Sequence, residues 1–419
     1  MQVVIAVPEF SAFLNYANAA EALMRPVCGV PLLIRTVAMA ARSRTDEVLI
    51  VWPKSVPVEL AVECMSSDLL REQVNVRLIR VNSFDPLVGS SWIKILDHLE
   101  GRFIWLPWNW VTNKQSLACL PVASIDLADW HKPAYIVPRQ VASDEASAEL
   151  REQRAEGVAV TSPGTARMAE QFLVARSGKV LDGIHTSFNR RLCRPFVRLF
   201  SHTSITPNQV TMGGVLVSVI SFFAFAHGTY WSYVAGALLF FIAGLFDEMD
   251  GMLARIKFAD SAFGTWFEGF ADGLGYLLLF AGITIGLYRQ HGSGELWVGA
   301  ALLIGTILSL IVTTLGRKRG TTSDRRHEYL GTLYQKMESD SSNWISRFAR
   351  QVQPFQKRGV CIHYIVLFTV LGGVPVLFYL STLGSHLMWT LSLYFNHRFF
   401  KRPAQITRAT SVNSISEAI

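Results

Sequence analysis

The stretch from Asp247 to Asp272 reads DEMDGMLARIKFADSAFGTWFEGFAD and sets four carboxylates, Asp247, Asp250, Glu268 and Asp272, inside or against long apolar runs. WSYVAGALLFFIAGLF (231–246) precedes it and GLGYLLLFAGITIGL (273–287) follows. Carboxylates at membrane depth are costly, and function is the default reason for their presence. Asp247 and Asp250 are three residues apart, and Gly251 and Ala254 extend the same helical face. Gly264, Glu268, Asp272 and Gly275 recur at spacings of four, four and three, again one face. Two adjacent helices of this kind would aim four carboxylates at one small space, with glycine and alanine leaving room beside them. Hard oxygen ligands suit Mg²⁺, Mn²⁺ or Ca²⁺. Each acid alone would read as an ordinary interfacial residue at a helix end; the combined spacing carries the chemical reading.

The order Asp247-x2-Asp250-Gly251-x2-Ala254-Arg255, then Gly264, Glu268 and Asp272, resembles the signature of the CDP-alcohol phosphotransferase (phosphatidyltransferase) family, Asp-x2-Asp-Gly-x2-Ala-Arg-x8-Gly-x3-Asp-x3-Asp. The one departure is Glu268, which keeps the charge and adds a methylene. The bulky Trp266, Phe267 and Phe270 are expected to hold this helix outward, so that the longer arm restores the metal distance.

The resemblance implies an integral membrane enzyme that moves a phospho-alcohol unit from a CDP-alcohol to an acceptor hydroxyl and releases CMP. It implies two ions, Mg²⁺ or Mn²⁺, held by Asp247, Asp250 and Glu268 with Asp272 as a fourth ligand. Two divalent ions about 4 Å apart clamp a diphosphate and stabilise the leaving oxygen. Asp272 takes the further role of base. Gly251, Ala254 and Gly264 let the cytidine approach, and Arg255 contacts phosphate through its fork. Arg255 snorkelling to lipid headgroups is the alternative. Two other readings stay open: a phospholipid synthase using CDP-diacylglycerol specifically, and a non-catalytic membrane scaffold whose site has decayed at Glu268. The implied partners are the CDP-alcohol, an acceptor alcohol or phospho-alcohol and the lipid bilayer, with a homodimer as an open option.

Half of the 419 residues are apolar and 17% are charged, but the two halves differ. Up to about Lys179 the chain resembles a soluble α/β domain; beyond about Pro207 apolar runs dominate. The formal charge of +7 fits anionic lipid or phosphate-bearing substrates. Nucleic acid is set aside as a partner, because the basic residues flank apolar spans. The five cysteines, at 28, 64, 119, 193 and 361, form no CxxC pair, which argues against a disulfide framework or zinc site. MQVVIAVPEF has no basic n-region and reads as a first strand, not a signal peptide.

The first half alternates strands and helices, predicting a Rossmann-like parallel sheet wrapped by helices. Strands are expected at 2–7, 46–53, 75–81, 102–108, 134–138 and 158–162, and helices near 12–24 and 29–44. The segment CGVPLLIRTVAMAARSRTDEVLIVWP resembles the early part of a sugar-phosphate nucleotidyltransferase. That family's glycine-rich loop would bring backbone N–H groups to a nucleotide's phosphates. Here the position reads VPEFSAFLNYAN, without glycine; Arg25 stands roughly where the family has lysine, and the metal-binding Asp is replaced within WLPWNWVTN (105–113). A nucleotidyltransferase-like domain without its own catalysis is expected, with an unrelated α/β domain as the alternative.

In KVLDGIHTSFNRRLCRPFVRLFSHTSITPNQVT (179–211), Arg190, Arg191, Arg194 and Arg198 sit among apolar residues, the composition of a basic amphipathic helix on a membrane surface. Asp182-Gly183 and the run Pro207–Thr211 also resemble what precedes the first span in the phosphotransferase family. Six apolar spans are expected near 211–227, 231–253, 263–288, 295–315, 360–380 and 385–397. The short connections carry only Arg289, whereas Arg255, Lys257 and the basic 316–359 loop lie on the other side. The positive-inside rule then puts both termini in the cytoplasm, in a multi-pass protein of the cell membrane. The expected layout is an α/β Rossmann-like domain at 1–175, a juxtamembrane helix at 176–207, an all-α six-helix transmembrane domain at 208–400 and a disordered tail at 401–419. Its layout resembles that of the bifunctional enzymes that make CDP-inositol and then di-inositol phosphodiesters.

Overall fold

The computed structural model describes residues 2–9, 16–43, 45–70, 75–85, 91–92, 94–99, 103–113, 157–178, 183–320, 326–340, 343–352 and 358–400. The expected strand at 134–138, residues 10–15 of the VPEFSAFLNYAN loop, Cys119 and the 401–419 tail lie outside these residues. The chain forms two compact units. One holds 1–182, 191–207 and 251–260; the other holds 183–190, 208–250 and 261–419.

In the first unit the elements are β1 (Gln2–Ala6), α1 (Ala19–Leu23), β2 (Pro26–Val27), β3 (Val30–Pro31), α2 (Leu32–Ala41), β4 (Glu47–Pro53), α3 (Val58–Ser66), β5 (Asn75–Val81), β6 (Phe103–Pro107), β7 (Trp110–Thr112), β8 (Gly157–Ala159) and α4 (Pro163–Arg176). The main sheet has the order β5-β4-β1-β6, and every pairing in it is parallel. Strand β4 is buried at six consecutive positions, which matches its continuous apolar run, because a parallel strand is covered on both faces. Alternate side chains feed two cores: Val3, Ile5, Val48 and Ile50 on one face, and Val4, Leu49, Val51 and Phe103 on the other.

The 158–162 segment differs from expectation. Its three-residue strand β8 pairs antiparallel with β7 in a separate ribbon. Its burial is intermediate throughout, so it lacks the two covered faces that a place in the parallel sheet would require. After it, Ser162 and Thr165 form a capping box with Pro163 beside it, which fixes the start of α4.

Helix α5 (Ile184–Ser201) follows as a single helix through Pro195. Ile184, Phe188, Leu192, Phe196 and Leu199 are exposed along it at near-four spacing, as a membrane-surface helix would present them. Arg191 and Arg194 are also exposed. Arg198, in contrast, faces the buried Glu170 at 3.7 Å within the first unit.

The remaining helices are α6 (Pro207–His227), α7 (Tyr230–Lys257), α8 (Ala262–His291), α9 (Gly294–Gly320), α10 (Arg326–Ser339), α11 (Trp344–Val352), α12 (Arg358–Val370) and α13 (Val374–Phe399). Among the described residues, four helices are long and apolar enough to cross a membrane: α6, α8, α9 and α13. Helix α7 has 28 residues, with its acidic and basic residues confined to 247–257. Helix α12 has 13 residues, or roughly 20 Å at 1.5 Å per residue, short of a hydrocarbon core of about 30 Å.

The last break also falls elsewhere than expected. The chain turns at Leu371-Gly372-Gly373, where Gly372 adopts φ 72°, and Pro375 lies in the first turn of α13. The Ser381–Ser385 stretch stays helical, because one glycine inside a helix costs only about 1 kcal/mol. The core of this unit gathers Phe225, Tyr233, Phe240, Leu279, Ile283 and Phe378.

Candidate active site: an acidic helix pair

Helix α6 packs closely on α7 and α8 through small residues. A Cβ added to Gly214 would stand 3.1 Å from Phe246, and one added to Gly282 would stand 2.8 Å from the Phe222 carbonyl oxygen. Small residues at such crossings let helices approach without side-chain bulk. Helices α7 and α8 meet where the Phe240 and Tyr276 rings lie 5.7 Å apart, edge to face. The start of α8 is set by Ser261, whose Oγ accepts from the Gly264 N–H at 2.9 Å. Gly264 also lets Asn208 approach: an added Cβ would stand 3.2 Å from its Oδ1.

Asp247 and Asp250 lie one turn apart near the end of α7, and Glu268 and Asp272 one turn apart near the start of α8. Asp250 is the most enclosed, at 4% exposed, and the Thr211 hydroxyl of α6 donates to its Oδ2. Asp247, Glu268 and Asp272 are half-buried. Four carboxylates are the donor set of a hard divalent ion such as Mg²⁺ or Mn²⁺, so the chemistry fits. The side chains themselves are not gathered: among the described residues no three His, Cys, Asp or Glu groups stand close enough to hold an ion.

The expected wedge of aromatic residues is absent at Trp266 and Phe270. Those two are exposed and stack on each other at 5.6 Å, while Phe263 stacks on Phe267 at 5.9 Å. Both stacks run along α8 itself, because i,i+4 aromatics share one helical face.

In the first unit, the Arg255 Nε donates to the Ser177 carbonyl at 2.6 Å. Its guanidinium passes over Gly251, where an added Cβ would stand 3.4 Å from Nη1. Gly251 therefore makes room for this arginine. Ala254 is half-buried one residue before it.

Three contributors were not among the residues singled out for the site. Thr211 lay in the run preceding the first span, without a role. Glu248 sits between the two signature aspartates and accepts from the Arg190 Nε at 3.0 Å. Arg190, expected among the membrane-facing arginines, is 7% exposed and turned inward to this pair. The signal was present in the sequence as a fifth acid inside an apolar helix, for which a buried cation is the natural partner.

The fold and site together describe a membrane-type helical unit with an acidic helix pair, joined to a parallel α/β unit. Residues 204–337 match the family model of CDP-alcohol phosphatidyltransferase. An archaetidylinositol phosphate synthase of Methanothermobacter thermautotrophicus is 28% identical over 119 residues, 27% of this chain and 60% of that protein. A bifunctional IPC transferase and DIPP synthase of Aquifex aeolicus is 24% identical over 237 residues, 56% of this chain and 49% of that protein. The chain thus spans between 49% and 60% of the length of these two relatives. A crystal structure of Mycobacterium tuberculosis phosphatidylinositol phosphate synthase with CDP-DAG bound aligns at TM-score 0.31 and 17% identity, over 54% of this chain and all of that one.

Proposed function

We propose that the helical unit is a divalent-metal-dependent CDP-alcohol phosphotransferase, acting in phospholipid or inositol-phosphodiester synthesis. The observation that carries this reading is the placement of the signature acids on two touching helices inside the matched domain. Asp247, Asp250 and Glu268, with Asp272, would hold one or two Mg²⁺ or Mn²⁺ ions, which when bound offset the diphosphate charge and favour departure of CMP. Gly251, Ala254 and Gly264 leave room for the cytidine, and Arg255 offers its remaining donors to phosphate. The acceptor hydroxyl oxygen forms a bond to the alcohol-side phosphorus as the bond to the CMP oxygen breaks, and Asp272 receives the hydroxyl proton. Such transfers depend mainly on alignment and charge stabilisation.

The amino-terminal unit has no glycine loop in its sequence, so it is read as a nucleotidyltransferase-like fold without cytidylyl transfer. Six spans with both termini and the 316–359 segment in the cytoplasm follow from the basic asymmetry, with α7 and, as a segment too short to cross the full hydrocarbon core alone, α12 beyond the four long apolar helices. A match of 33% identity over 99 residues to a CDP-diacylglycerol–glycerol-3-phosphate 3-phosphatidyltransferase of Pseudomonas fluorescens favours a second reading, a CDP-diacylglycerol donor.

The test is CMP release by purified protein in lipid, with labelled CDP-diacylglycerol, CDP-inositol and CDP-glycerol and either Mg²⁺ or Mn²⁺. Release from one donor would support the reading and name the donor. No release from any, with folded protein, would favour the scaffold.

A further inference from the structure

The end of helix α7 is held within the first unit by an unusual set of contacts. Phe258, the residue after the helix, has φ 56° and is 5% exposed, inside the same core as Val3, Ile50 and Leu33. A bulky residue at positive φ is strained and persists only where its surroundings over-determine it. Two arginines of the α/β fold close around it. The guanidinium carbons of Arg35 and Arg42 each lie 5.2 Å from the Phe258 ring centroid. Arg35 Nη2 also donates to the Ile256 carbonyl at 3.0 Å, and Arg42 Nη2 to the Phe258 carbonyl at 2.8 Å.

These are carbonyls at a helix C-terminus, where unsatisfied acceptors and the helix dipole both favour cations. Arg35 is almost fully buried, a costly position for a charge unless it does such work. Lys257 adds bonds from its Nζ to the Thr203 and Ile205 carbonyls at 2.6 and 2.9 Å, and Arg42 lies 3.7 Å from Asp260. With Arg255 on Ser177, five of the six residues from 255 to 260 are tied to the α/β fold or to the segment that leads into α6.

We infer that Phe258, gripped by Arg35 and Arg42, is a positioning residue, and that the α/β unit serves as the anchor that fixes the end of the signature helix for CDP-alcohol binding. This rests on the proposed phosphotransferase function for its kinetic consequence, but not for the anchor itself. Gly251, Ala254 and Arg255 occupy the last two turns before Phe258, so a frayed helix end would displace them together. The acceptor's hydroxyl need not be affected.

The test uses the full chain in lipid nanodiscs and compares wild type with Phe258→Gly, Phe258→Tyr and Arg42→Gln. Glycine keeps the left-handed backbone and removes only the ring. The readouts are hydrogen exchange across 251–260 and KM for donor and acceptor separately. Phe258→Gly is expected to speed exchange in that segment and raise the donor KM about tenfold, with acceptor KM little changed, because small misplacements of binding groups are costly. Arg42→Gln should do the same more weakly, and Phe258→Tyr should restore both. Faster exchange with unchanged kinetic constants would reduce the contact to a structural one and overturn the inference. Unchanged exchange would overturn it outright. Wild-type protein that released no CMP would instead remove the functional reading, while the exchange data would still report on the anchor, so the two failures are distinguishable.

Discussion

The hydroxyl of Thr211, in the second turn of α6, donates to the carboxylate of Asp250, near the end of α7. The bond enlists a third helix in holding a signature acid, on a residue that is otherwise enclosed. A carboxylate in such a place needs donors or an ion. Thr211→Val keeps the shape and removes the donor, and the expected cost is about 1–3 kcal/mol at the site. CMP release should fall at least several-fold, while Thr211→Ser should stay near wild type; equal activity in Val and Ser variants would show that the bond has no part in function.

Glu268 is expected to be a working ligand. The start of α8 is set by the Ser261 cap and lies against Asn208 of α6 at Gly264, and its backbone is expected to stay in place in the variant. Shortening the arm by one methylene through Glu268→Asp should therefore lower CMP release, even though it restores the family residue. Asp250→Asn and Asp272→Asn should abolish it. Comparing Mg²⁺ with Mn²⁺ at matched expression adds a check, since strict octahedral geometry tolerates a changed arm least. A gain of activity in Glu268→Asp would mean the site had decayed.

The Arg190–Glu248 pair should matter for stability. Both side chains are largely buried, at 9% and 17% exposed. Removing one member of a buried pair leaves an uncompensated charge and typically costs about 3–5 kcal/mol. Thermal unfolding in detergent should show Arg190→Met and Glu248→Gln each lowering the midpoint, and the double variant recovering part of the loss. Additive losses would exclude a coupled pair.

A local acid response is expected at Asp340. Hydrogen bonds from Arg398, through Nε and Nη2 at 2.9 Å each, hold its carboxyl below the usual carboxylate range, with Ser346 and Asn343 adding to the effect. A depressed folded-state pKa contributes stability that is present above the unfolded value of about 3.9 and is lost as pH falls through the folded value. Hydrogen exchange in α10 and α11 should therefore stay slow at neutral pH and quicken below about pH 4. In Asp340→Asn that acid step should disappear.

Much of this protein is written in short-range pattern. The continuous apolar runs of β1 and β4, buried on both faces, the apolar lengths of α6, α8 and α9, and the four-residue spacing of Glu268 and Asp272 follow from backbone geometry, so composition and spacing suffice to read them. The same holds for the signature acids, which are conspicuous because charge is rare in apolar helices. What lay beyond the sequence concerns partners far apart along the chain. Thr211 with Asp250, Arg190 with Glu248, and Arg35 with Ile256 join elements separated by 39, 58 and 221 residues, and no local periodicity encodes such pairings. The turn at Gly372 in place of one near Gly384 is, by contrast, a local matter, since Gly372-Gly373 with Pro375 breaks a helix more strongly than a lone glycine. Burial decided the arginines. Arg190, Arg191 and Arg194 share one composition and one helix, yet only the one facing a buried acid turns inward, because a charge leaves water only where a partner offsets the loss of solvation.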